Sequence, residues 1–72
     1  MVKAEVVKVD KPAGKVTLKH GPIKNLDMDS MTMVFRVADP AMLDKMKAGD
    51  RIEFEAARVN GAITVTKIGK GH

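Results

Sequence analysis

Lys15 to Val37 reads KVTLKHGPIKNLDMDSMTMVFRV, two alternating runs joined by a polar loop. In the first run Val16 and Leu18 share one face, and His20 follows in the same phase because side chains alternate along a strand. Gly21 and Pro22 end that strand, and a loop runs from Ile23 to Met28. A second strand is predicted from about Ser30 to Val37, with Met31, Met33, Phe35 and Val37 inward and Thr32, Val34 and Arg36 outward. Antiparallel pairing through the loop places His20 and Met31 at one end of the sheet on one face, with Met28 overhead.

Working outward, Val2 to Asp10 alternates with a slip in phase. Val2, Ala4 and Val6 share a face and Val7 and Val9 the other, so a bulge near Val6 and Val7 restores one buried face. Lys11 to Gly14, KPAG, is a turn. Beyond Val37, Asp39 and Pro40 start a short helix, roughly Pro40 to Met46, with an N-cap oxygen and a proline where no N–H is needed. Met42, Leu43 and Met46 fall on one side of it and read as packing. Lys47 to Asp50, KAGD, reads as a C-cap and turn around Gly49. A strand from Arg51 to Val59 buries Ile52, Phe54 and Ala56. Asn60-Gly61 suits a type I′ hairpin into a last strand with Ile63 and Val65 inward, and Lys70 to His72 is expected to fray. The expected fold is all-β, a small five-stranded OB-fold-like barrel with one short helix between strands 3 and 4.

Seventy-two residues make one domain, residues 1–72, whose core hides roughly 60% of the unfolded chain's surface. With no cysteine, neither a disulfide nor a thiolate metal site is available. No apolar run is long enough to span a bilayer, and Met1 to Lys8 lacks the hydrophobic stretch of a signal peptide. A cytoplasmic protein, or a mature or excised domain with an added start methionine, is therefore expected. The net charge of +4 is spread over lysines from Lys3 to Lys70, several of which alternate with apolar positions as the wet face of a strand does.

Thioether and imidazole together form a soft donor set suited to monovalent copper or silver. The candidate ligands are His20, Met28, Met31 and Met33. Taken singly, Met31 and Met33 read first as core filler and His20 as a hydrogen-bonded structural residue, the commoner fate of each on an inward face. Their shared face and end, with Met28 in a polar loop, is what points to a metal. Three thioethers and a neutral imidazole supply no anion, which disfavours a doubly charged ion. Asp27 and Asp29 flank Met28; ligation by them with His20 would instead suit a harder ion such as zinc.

His20 followed by Met31-Thr32-Met33, with Phe35 two positions on and KAGDRIEFEA later, resembles the CusF-like family of periplasmic copper and silver metallochaperones over nearly the whole chain. The resemblance implies an OB-type barrel binding one Cu(I) or Ag(I) through His20, Met31 and Met33. At Met28 the family usually carries a tryptophan that caps the ion, and this chain has none. A fourth thioether ligand is the corresponding expectation. The methionine variant also resembles the CusF-like domain at the C-terminal end of SilB-type efflux adaptors. Such a resemblance implies a periplasmic, monomeric carrier that neither enters the membrane nor catalyses a reaction, exchanging ions with methionine-rich proteins of an RND-type efflux system.

Two rival readings stand beside it. An OB-type single-stranded nucleic-acid binder would use the lysines, yet only Phe35 and Phe54 are aromatic, both expected inward, so stacking platforms are lacking. A structural interaction module predicts a methionine cluster packed wholly in the core. No nucleophile and base pair is apparent: Ser30 has only His20 as a conceivable partner. His72 is given no role.

Overall fold

The computed structural model describes residues 2–70, except for the side chains of Asn25 and Lys70. Five strands, β1 (Val2–Asp10), β2 (Lys15–His20), β3 (Met31–Val37), β4 (Arg51–Val59) and β5 (Ala62–Lys70), close into a barrel in the order β1-β2-β3-β5-β4. Closure runs through β1 and β4, with Ala4 opposite Ile52. A short parallel contact, Arg36 with Thr64 and Val37 with Val65, joins β3 to β5. This is the all-β OB-type barrel that the sequence pattern predicts.

The expected slip in β1 is a bulge. Val6 faces Leu18 while Lys8 faces Thr17, so Val7 is the extra residue and turns outward. Beyond it Val9 rejoins the inward face and packs against the core. Val6 is held from the other side as well, donating its N–H to Asp50 at 2.8 Å and accepting from Gly49 at 2.7 Å. A long strand can bend here because both sides of the bulge remain paired.

A second bulge was not anticipated. Glu55 faces Lys67 but Ala56 faces Val65, which leaves Thr66 as the extra residue of β5. It shifts the phase so that Ile63, Val65 and Ile68 all turn to the core, where strict alternation would have sent Lys67. The Asn60-Gly61 turn has φ of 51° and 81°, the two positive angles a type I′ hairpin requires. Contrary to expectation, Lys70 is not frayed: it ends β5 opposite Ile52. Gly71 and His72 lie outside the described residues.

Between β3 and β4 the helix is a 3₁₀ helix, Pro40–Lys45, whose Asp39 side chain accepts from the Ala41 N–H at 2.9 Å. Leu43 and Met46 are buried and Met42 packs against the core. Gly49 is not its C-cap. The helix stops at Met46 in extended backbone, and Gly49, at φ 92°, belongs to a separate turn closed by the Asp50 N–H on the Lys47 carbonyl. Lys11, in the β1–β2 turn, reaches Asp44 at 3.2 Å, so this helix lies by the end of the β2–β3 ladder remote from His20. At the core centre Phe35 and Phe54 meet edge to face with centroids 5.4 Å apart.

Candidate metal centre

The β2–β3 register pairs His20 with Met31 and Leu18 with Met33. Gly21 donates its N–H to Lys3 on β1, so by alternation the backbone groups of His20 point the other way, towards β3. His20 and Met31 are therefore a hydrogen-bonded pair, with Cα atoms about 5.5 Å apart, and Met33 is the diagonal neighbour on the same face. Met33 is half-buried and Met31 is 43% exposed. The inward face of β3 thus runs from a wet methionine at the mouth to the buried Phe35.

His20 is 3% exposed and sits against both phenylalanines, with ring centroids 5.3 Å from Phe35 and 6.2 Å from Phe54. Its Nδ1 lies 2.6 Å from the Gly21 carbonyl. A carbonyl only accepts, so in the neutral ring Nδ1 carries the hydrogen and Nε2 keeps its lone pair. That Nε2 is buried and has no hydrogen-bond partner among the described residues. Leaving such an acceptor unmet costs about 1–3 kcal/mol, a deficit that a soft ion at Nε2 would remove. A backbone carbonyl on the far nitrogen is also how metal-binding histidines are commonly oriented.

Met28 is placed differently from expectation. Residues 24–26 form a 3₁₀ turn, Asp27 is left-handed at φ 52°, and Ile23 and Met28 exchange two backbone hydrogen bonds of 2.9 and 3.0 Å. Ile23 is fully buried, and the half-buried Met28 side chain packs against the core cluster. Met28 is therefore on a loop clamped to Ile23, with its side chain against the core instead of in a wholly polar surround. Asp27 and Asp29 are exposed, and among the described residues no group of three His, Asp or Glu side chains is placed to hold a metal. The zinc alternative has no such cluster to rest on. Sequence reasoning named the side chains of the mouth but missed the Gly21 carbonyl, a backbone group with no signature in residue type.

A closed five-stranded OB-type barrel with a buried imidazole on the face it shares with Met31 has the features expected of a small soft-metal binding domain. The sequence profile described as copper binding periplasmic protein CusF matches residues 1–70, and the chain belongs to that family. It is a family of metal-binding proteins rather than of enzymes. Apo-CusF from Escherichia coli superposes with a TM-score of 0.80 at 21% identity, covering 99% of this chain and 84% of that one. The silver form of the E. coli protein gives a TM-score of 0.78, again at 21% identity, with 99% and 89% covered. A tryptophan-to-alanine variant of it with Cu(II) gives 0.75 at the same identity and coverage. No curated protein sequence matches the chain. Among the described residues no helix is long and apolar enough to cross a membrane.

Proposed function

We propose that this protein binds Cu(I) or Ag(I) through His20 Nε2 and the thioethers of Met31 and Met33, with Met28 as the fourth ligand. It passes the ion to or from another methionine-rich protein of a heavy-metal efflux system in the periplasm. The observation that carries the reading is the buried Nε2 lone pair with nothing to accept, beside the cross-strand Met31. The silver-bound relative of the same fold and membership of a copper-binding family support the choice of ion.

Thioether and neutral imidazole donors need lose no proton to bind. Handover proceeds by ligand exchange: a donor from the partner attacks at the exposed Met31 side while His20 and the clamped Met28 hold the ion from within. The nucleic-acid reading gains nothing from the structure, since Phe35 and Phe54 are both buried and offer no stacking face.

The test is a titration of Ag(I), followed by NMR of the methionine methyls. The signals of Met28, Met31 and Met33 should move together and saturate at one equivalent while Met42 and Met46 stay put. No response from any of the three would end the proposal.

A further inference from the structure

Only the last part of β3 is paired on both sides. Towards β2 it is bonded from Met31 to Arg36, but its register with β5 covers Arg36 and Val37 alone. The Ala38 N–H donates to the Val65 carbonyl, so by alternation the backbone groups of Val34 and Thr32 also point to the β5 side. β5 begins only at Ala62, and among the described residues β3 forms no pair with it before Arg36, which leaves Thr32 and Val34 unpaired on that side. Thr32 is exposed and Val34 is 53% exposed. Four backbone groups, two N–H and two C=O, thus form an open strand edge at the metal mouth. No proline or bulge blunts it, although natural edges usually carry such protection.

The two faces beside this edge differ in chemistry. On the inward face stand Met31 and Met33. On the outward face Val34 lies between Thr32 and Arg36, with Lys15 opposite Arg36 and Lys19 opposite Thr32, all exposed. A strand added here has alternate side chains beside the thioethers and the others beside Thr32 and Val34, with cross-strand Cβ separations of about 4.5–5.5 Å. Lys15 and Lys19 stand on the same outward face one strand further over, roughly 10 Å away, on long stems that can extend towards it. Resting on the Cu(I)/Ag(I) reading of the same mouth, we infer that the free edge of β3 takes an extended, acidic, methionine-bearing segment of a partner protein as an added strand. Backbone pairing with Thr32 and Val34 supplies affinity, as in other strand-addition interfaces. The register brings a partner thioether next to Met31, where it replaces that ligand. Long acidic side chains on the added strand's outward face lie in the field of Lys15 and Lys19, one strand over, and of Arg36 at the end of the open edge.

The experiment uses a synthetic nine-residue peptide alternating Met with Asp or Glu, and a twin N-methylated at alternate residues so that it cannot pair. Amide exchange at Thr32 and Val34 is read on the metal-free and the Ag(I)-loaded protein. The plain peptide should slow exchange at both amides by on the order of tenfold or more and accelerate Ag(I) release, and the twin should do neither. Val34→Pro removes one edge N–H without touching the β2 ladder, so it should keep Ag(I) affinity and lose the peptide's effect. Should that variant fail to fold, the twin decides alone. Equal effects of the two peptides, or pairing of two copies of this chain at the same edge, would overturn the inference. A failure of the metal reading shows separately, as no response to Ag(I) without peptide, and leaves exchange in the metal-free protein to decide the edge.

Discussion

The barrel carries methionines at both ends, and the two sets differ in what surrounds them. By the 3₁₀ helix, Met46 is 2% exposed and Met42 packs with it against the core beside the fully buried Leu43. At the mouth, Met31 is 43% exposed and Met33 half-buried, next to an imidazole with an unmet lone pair. The first set fills space, which any side chain of similar volume could do. The second stands partly open on the face it shares with that imidazole, which is the placement the proposed metal site requires. Residue type alone does not separate packing from ligation; the neighbours do.

Substitutions should divide along the same line. The largest loss of stability is expected from Phe54→Ala, which removes the ring against both Phe35 and His20 and should cost about 3–5 kcal/mol in denaturant unfolding. In so small a domain that is most of the margin. Met46→Ala should lose about 2–5 kcal/mol in the same assay while the folded fraction keeps its Ag(I) affinity. If affinity fell with it, the two ends would not be separable.

His20→Leu reverses the pattern. It removes the metal nitrogen and the unmet acceptor together, so Ag(I) affinity should fall by more than the roughly 10–100-fold that loss of a ligand's outer support costs. Stability should change by only about 1 kcal/mol, because an apolar side chain replaces a buried polar group. Met31→Ala should leave stability within about 0.5 kcal/mol, as an exposed position does, and weaken Ag(I) measurably by calorimetry. Met28→Ala is expected to act last and least on affinity, with a faster Ag(I) off-rate as its clearer sign. An unchanged off-rate and affinity would remove Met28 from the ligand set.

Much of the fold was legible because the period of two is clean in β2, β3 and β4 and because Asn60-Gly61 specifies its turn. The β1 bulge was legible from adjacent Val6 and Val7, which cannot both face inward. The slip at Thr66 had a sign that went unused: Val65 and Ile68 are three apart, so strict alternation would bury Lys67, and pairing with Glu55 and Ala56 places the extra residue at Thr66. A six-residue helix cannot declare itself α or 3₁₀ by periodicity. At the site, His20, Met31 and Met33 were legible as one face and one end. The clamp of Ile23 on Met28, the carbonyl on Nδ1 and the unpaired edge of β3 are backbone features, invisible until the register is known.

The metal centre turns on the state of one ring. Long-range proton–nitrogen NMR of the His20 imidazole, before and after one equivalent of Ag(I), reads it directly. In the metal-free protein Nδ1 should carry the hydrogen and Nε2 should be bare, and silver should shift Nε2 while Nδ1 stays protonated. A hydrogen on Nε2 in the neutral ring, or an Nε2 signal that silver does not move, would contradict the assignment of His20 as the ligand around which the mouth is built.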